Sequence, residues 1–150
     1  MTDLLDLSHQ LIRFETELWN AVDARLRAEF GLPLSRLEPM QVIAHRPSCR
    51  VYDIAAELSI TIGGTSKLVD RIEAEGYCVR RTNPEDRRSS IIELTASGRR
   101  VLAKAAKLFE DELQIRIGSA VPERSLQQFH STLVKLRAAN TSAGEARSSA

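Results

Sequence analysis

Residues 51–75 hold a short helical segment, a three-residue break and a longer helical segment, and this spacing restricts the fold more than any other feature of the chain. In Val51–Leu58, the apolar residues Ile54, Ala55 and Leu58 share one helical face. Only Ser59, Ile60 and Thr61 separate this piece from a second helix spanning roughly Ile62 to Glu75, whose Leu68, Val69 and Ile72 are predicted to be buried. Gly76 stands where a left-handed residue ends a helix. A short helix, a tight turn and a longer helix form the helix-turn-helix pattern.

The apolar period then changes from helical to alternating. Tyr77 to Thr82 reads as a strand, Asn83 to Ser89 as a charged turn, and Ser90 to Leu94 as a second strand, giving a β-hairpin with a long basic tip. Residues 76–100 carry six Arg against three acids, and every basic side chain there is arginine, the group best suited to forked contact with phosphates and bases. Thr95 is placed to cap the next helix, which carries Val101, Leu102, Ala105, Leu108 and Leu113 and continues to about Ile117. Gly118 and Pro122 interrupt it, and a last helix follows with the stripe Leu126, Phe129, Leu133 and Leu136.

Upstream, Leu4, Leu7, Leu11, Phe14, Leu18, Val22 and Leu26 recur at helical spacing without an internal Gly or Pro, and Gly31 and Pro33 end the run. So long an apolar stripe exceeds what a small domain covers, so part of it is expected to face a partner chain. A further helix starts near Ser35, where Ser35 and Glu38 have capping-box spacing and Pro39 falls in the first turn. The expected fold class is mainly α with a small β-hairpin wing: a winged helix-turn-helix plus N- and C-terminal helices, whose role in dimerisation is what the family resemblance given below implies. The chain is expected to be a single protomer over 1–140, with a DNA-binding lobe at about 34–95 and dimerisation helices at about 3–30 and 96–139. Residues 141–150 have no core-forming side chains and are expected to be a disordered tail.

The whole chain of 150 residues is nearly neutral, at +1, which excludes a basic tail protein holding nucleic acid by bulk charge. The charge is sorted along it, from −3 over residues 1–30 to +2 over 61–100. Aromatic residues are too sparse, at 5%, for base-stacking platforms on single strands. No secretory signal and no membrane-length apolar run is present, so the expected compartment is the cytoplasm. No phosphate-binding glycine loop, nucleophile elbow or ligand-spaced His/Cys cluster occurs, so neither an enzyme nor a metal or other cofactor is expected.

From about Pro33 to Gly98 the chain resembles MarR-type winged helix-turn-helix transcriptional regulators. The resemblance rests on Leu68 through Tyr77, on Arg80-Arg81, and on the wing pattern D-x-R, five residues, L-T, two residues, G, which Asp86, Arg88, Leu94, Thr95 and Gly98 meet. It implies a homodimer that puts the second helix of each helix-turn-helix into a major groove and each wing tip into the adjacent minor groove. Two-fold symmetry then calls for a pseudo-palindromic double-stranded operator. The family also implies a repressor released by a small-molecule effector.

On that basis the expected DNA-binding residues are Thr61, Thr65, Ser66, Lys67, Arg71, Arg87 and Arg88. Arg88 is the expected minor-groove arginine, because a narrow groove concentrates negative potential. Asp86 is expected to orient an arginine, with Arg88, Arg71 and Arg80 as candidates. Gly63 and Gly64 leave two readings open: a close approach of the helix backbone to DNA, or a frayed turn with the helix starting near Thr65. Candidates for an effector pocket are His9, Arg13, Trp19, Met40 and His45. A thiol-responsive regulator is an alternative, since Arg46 and Arg50 flank Cys49 and would favour a thiolate, whereas Cys78 reads as a small apolar strand residue. A winged-helix module for protein–protein contact is the alternative from another functional class.

Overall fold

The computed structural model describes residues 1–148. The chain forms α1 (Leu4–Phe30), α2 (Leu34–His45), α3 (Val51–Leu58), α4 (Ile62–Ala74), β1 (Cys78–Thr82), β2 (Ser90–Leu94), α5 (Ala96–Leu113), a π-helical turn (Gln114–Gly118) and α6 (Glu123–Ser148). It divides into two compact units between Glu110 and Asp111.

The first unit has one core. Val22 and Leu26 of α1 join Leu37 and Met40 of α2, Ile54 of α3, Val69 and Ile72 of α4, Ile92 of β2 and Ala105 of α5. Asp3 caps α1 by accepting the N–H groups of Leu5 (2.9 Å) and Asp6 (3.2 Å), and Gly31 closes it at φ +62°. The apolar stripe of α1 is divided: Val22 and Leu26 are buried, whereas Leu4, Leu7, Leu11 and Phe14 stay exposed.

The start of α2 differs from the expected capping box. The cap position is Pro33, and Ser35 lies inside the helix. The free Leu34 N–H is met instead from α1, by Asp23 Oδ1 at 2.8 Å, while Asp23 Oδ2 accepts Arg27 Nε at 2.7 Å. Burial raises the Asp23 carboxyl, but these donors outweigh it and hold the group below the usual carboxylate range. With α2 starting at Leu34, Pro39 falls in its second turn, where its ring is buried in place of a backbone N–H.

Thr61 caps α4 by accepting Gly64 N–H at 3.0 Å, so the helix is regular from Ile62 and the frayed-turn reading of Gly63 and Gly64 does not hold. Gly76, at φ +80°, ends it, with Tyr77 N–H reaching back to the Ile72 carbonyl at 3.1 Å. The wing is a two-stranded antiparallel sheet in the register Cys78 to Leu94 through Thr82 to Ser90. Ile92 N–H also donates to the Cys49 carbonyl at 2.7 Å, which ties the wing to the segment before α3.

Thr95 is the expected cap of α5 and does more than cap. Its Oγ1 accepts Gly98 N–H at 3.0 Å and donates to the Gly76 carbonyl at 2.6 Å, while its N–H donates to the Tyr77 carbonyl at 3.0 Å. A Cβ at position 98 would overlap the Tyr77 carbonyl oxygen and stand 2.9 Å from its carbon, so only glycine fits there.

In the second unit the expected continuous helix to Ile117 ends early. Regular α-helix stops at Leu113, and the chain widens into the π-helical turn, where Ser119 N–H donates to the Gln114 carbonyl at 2.8 Å. In α6, Leu126 and Leu133 are half-buried while Phe129 and Leu136 are exposed. The tail expected to be disordered from 141 is instead helical through Ser148, while 149–150 lie outside the described residues. The segment lacks core-forming residues, but residues 141–148 contain no proline to stop α6 from running on.

Cys49 and Cys78 are core residues, each 1% exposed. Burial pushes the Cys49 thiol up to about 11, with Asp53 and Glu57 adding to the effect and Arg46 opposing it. Burial and Glu73 likewise push Cys78 up to about 11, against Arg80. The cations beside Cys49 do not make a thiolate because acids already hold them: Arg46 pairs with Asp53 (3.5 Å) and Glu57 (3.6 Å), and Arg50 with Asp53 (3.6 Å). The thiol-responsive alternative therefore loses its chemical basis.

Two stability predictions follow from this packing. Gly98→Ala lowers unfolding free energy in urea by about 3 kcal/mol, whereas Gly63→Ala, with nothing within 4 Å of its new Cβ, raises it by up to about 1 kcal/mol. Equal effects at the two glycines would contradict the Tyr77 overlap. The folded thiols hold their protons up to about pH 11, against 9.0 for a free thiol. The unfolded chain loses these protons first, so stability falls as pH rises from 9 to 11 and is unaffected by the thiols below that window. Cys49→Ala/Cys78→Ala removes this part of the slope, about two protons; an unchanged slope would show that the thiols are not protected.

Candidate nucleic-acid interface

The exposed side of α4 and the tip of the wing carry the candidate residues. Their geometry begins with Arg80 on β1, which braces the strand against α4. Its Nη2 bonds Asp70 Oδ1 at 2.7 Å and the Ser66 carbonyl at 3.4 Å, and its Nη1 bonds Glu73 Oε1 at 3.1 Å. Its backbone N–H also donates to Glu73 Oε2 at 3.2 Å. Arg81 pairs across the hairpin with Glu93 at 2.6 Å, and Arg36 of α2 pairs with Glu75 at the end of α4.

The cations left over include the four expected ones, together with Arg99 and Arg100 at the start of α5. Lys67 and Arg71 are exposed on α4, Arg87 and Arg88 are exposed in the wing loop, and among the described residues no carboxylate pairs with any of the four. Lys67 and Arg71 lie one helical turn apart, so both project from the same side of α4. Thr61 is exposed but its Oγ1 is engaged as the helix cap, and Ser66 is half-buried.

Thr65 is a correction. It is fully buried, and its hydroxyl donates to the Thr61 carbonyl at 2.8 Å, so it belongs to the core face of α4 and has no surface for DNA. The pattern hid this because a threonine back-bonded to the preceding turn satisfies its own polar group and packs as an apolar residue.

Asp86 is a second correction. It orients backbone rather than a guanidinium: Oδ1 accepts Arg88 N–H at 2.9 Å, and its carbonyl accepts Ser89 N–H at 3.2 Å. Asn83, buried at the root of the loop, adds Oδ1 to Glu85 N–H (3.0 Å) and Nδ2 to Ser89 Oγ (3.2 Å). These local bonds shape the seven residues between the strands and leave the Arg87 and Arg88 side chains outside the turn.

The five effector candidates do not form one site. Met40 is fully buried in the core, and His45 is engaged at both ring nitrogens, with the Gln41 carbonyl at 2.7 Å and Glu57 at 2.9 Å. His9 and Arg13 lie on the exposed part of α1. Trp19 is half-buried and packs against the core, and with Glu15 and Thr16 it lines an open cavity of about 340 Å³. Near this stretch of α1, burial and the Glu15 charge push the Glu38 carboxyl of α2 above its ordinary range.

Sequence reasoning missed Arg80 as a brace, although Asp70 and Glu73, three apart on α4, carry the signal for a shared cation. It also missed that Ile62, the first residue of α4, is 58% exposed. Among the described residues no helix is long and apolar enough to cross a membrane, and no group of three His, Cys, Asp or Glu is disposed to hold a metal ion.

The MarR family model matches residues 32–90, which spans α2 to the start of β2. The HTH-type transcriptional regulator BilQ of Clostridium symbiosum is 28% identical over 106 residues, covering 71% of this chain and 73% of that protein. The structure of Sco3205, a MarR family transcriptional regulator from Streptomyces coelicolor, in complex with DNA, superposes with a TM-score of 0.81 at 22% identity, covering 87% of this chain and 83% of that one. CouR from Rhodococcus jostii RHA1, bound to p-coumaroyl-CoA, superposes with a TM-score of 0.78 at 24% identity over 87% of this chain and 91% of that one. The MarR family match thus lies on the helix-turn-helix and wing, and the fold shared with MarR family structures extends over most of the chain.

Proposed function

We propose that this protein is a cytoplasmic, homodimeric regulator of transcription that binds double-stranded DNA at a pseudo-palindromic operator and acts as a repressor. The observation that carries the proposal is the sorting of cations: arginines inside the wing framework are paired with acids, while Lys67, Arg71, Arg87 and Arg88 are exposed and unpaired among the described residues. Lys67 and Arg71 serve α4 in the major groove, Arg87 takes a phosphate, and Arg88 enters the minor groove. Thr61 and Ser66 sit beside them, with Thr61 holding the start of α4 by accepting the Gly64 N–H. That Sco3205, which has this fold, has a structure in complex with DNA supports DNA binding by this chain.

Dimerisation through the terminal helices is supported by the uncovered apolar stripe at the start of α1, with Leu4, Leu7, Leu11 and Phe14 exposed. Binding of a small-molecule effector is supported by CouR, which has this fold and is bound to p-coumaroyl-CoA. In this chain the α1 cavity beside Trp19 is the place to look for an effector.

Selection of bound DNA from a random pool returns an inverted repeat whose half-sites are about one helical turn apart. Arg88→Ala weakens binding to that operator at least about tenfold while the dimer stays folded. Asp86→Ala weakens it as well, because the Arg88 N–H loses its acceptor, and Asp86→Asn, which keeps an oxygen there, restores most of the affinity. An asymmetric consensus, or Arg88→Ala with full affinity in a gel-shift titration, would contradict the proposal.

A further inference from the structure

We propose that Ile62 reads thymine C5-methyl groups in the major groove and so sets which bases the operator half-site carries. The inference rests on the DNA-binding reading above and adds to it the base class that α4 selects. Ile62 is the first residue of α4 and 58% exposed, although the core-facing side of that helix is filled by Val69 and Ile72. Two glycines follow it. A Cβ at Gly63 would meet nothing within 4 Å, and one at Gly64 would meet Thr61 Oγ1. With no side chain on either, the isoleucine is the group that protrudes from the first turn.

The polar groups around it are already used. Thr61 Oγ1 accepts Gly64 N–H at 3.0 Å, and the buried Thr65 hydroxyl donates to the Thr61 carbonyl at 2.8 Å. The leading turn therefore has a hydrocarbon surface to offer and little hydrogen-bonding capacity for base edges. Charge complementarity names the occupant. Lys67 and Arg71, exposed on the same helix, attract the phosphates that flank a groove. Inside the major groove, the apolar group that a base pair presents is the thymine methyl. An isoleucine against that methyl buries hydrocarbon on both sides, and the missing side chains at 63 and 64 let the helix come close enough for the contact.

The test uses the operator recovered by selection. Each half-site thymine is replaced in turn by deoxyuridine, which removes one methyl and leaves the hydrogen-bonding edge unchanged. Binding is measured for the wild type, Ile62→Ala and Ile62→Val. The wild type loses about fourfold in affinity at one thymine per half-site, and about fifteenfold when both half-sites are changed. Ile62→Ala binds the thymine and uracil duplexes equally, and Ile62→Val falls between. Full wild-type affinity for every uracil duplex would overturn the proposal, as would Ile62→Ala keeping the whole thymine preference. A wild type that selects no duplex at all would remove the DNA-binding reading and this inference with it, which separates the two failures.

Discussion

Four segments of the chain converge on Thr95, through its hydroxyl and its backbone N–H. The hydroxyl donates to the carbonyl of Gly76, where α4 has just ended, and accepts the N–H of Gly98, where α5 begins. The Thr95 N–H meets Tyr77 at the entry to β1, and the absent side chain of Gly98 lets the Tyr77 carbonyl lie against the first turn of α5. The end of α4, both roots of the wing and the start of α5 are thus held in one hydrogen-bonded junction. Isolated hairpins are marginal in water, and this junction joins the Ile92–Cys49 bond and the Arg80 brace in holding the wing to the body. The threonine and glycine of the wing pattern therefore act as structure, and their value to DNA binding lies in where they put the arginines.

The same division explains the near-neutral charge. Acids in and around the wing neutralise the arginines that build it: Asp70 and Glu73 hold Arg80 against α4, and Glu93 holds Arg81. Exposed pairs of this kind add little stability, on the order of 1 kcal/mol or less each, and they fix direction more than they add strength. Among the described residues, the cations left unpaired include Lys67 and Arg71 on α4 and Arg87 and Arg88 in the wing loop. A chain of net charge +1 can then present a local basic surface without a general attraction to polyanions.

Much of this fold was legible because periodicity, turn residues and caps agreed. The helix-turn-helix, both strands and the Thr95 cap appear where spacing puts them. The misreadings of caps and site side chains have a common cause: each concerned a polar group whose partner lies elsewhere in the chain or in its own backbone. Ser35 and Glu38 have capping spacing, yet Asp23, eleven residues before Leu34, supplies the acceptor. Thr65 looks available by type and is buried by its own back-bond. Asp86 looks like a partner for guanidinium and serves a backbone N–H. The cations around Cys49 look activating and are cancelled by Asp53 and Glu57. Single-chain patterns carry periodicity well and carry the identity of hydrogen-bond partners poorly, which is why the effector residues were the least legible.

The central claim is that unpaired wing cations meet DNA phosphates, and the salt dependence of operator binding tests it most directly. Replacing Arg87 by alanine should lower the slope of log affinity against log salt by about 0.9 per protomer, or about 1.8 for a dimer. The ranking of operator sequences should not change, because a phosphate contact carries no base information. An unchanged slope, with the variant folded and dimeric, would show that the wing does not touch the phosphate backbone and would contradict the account.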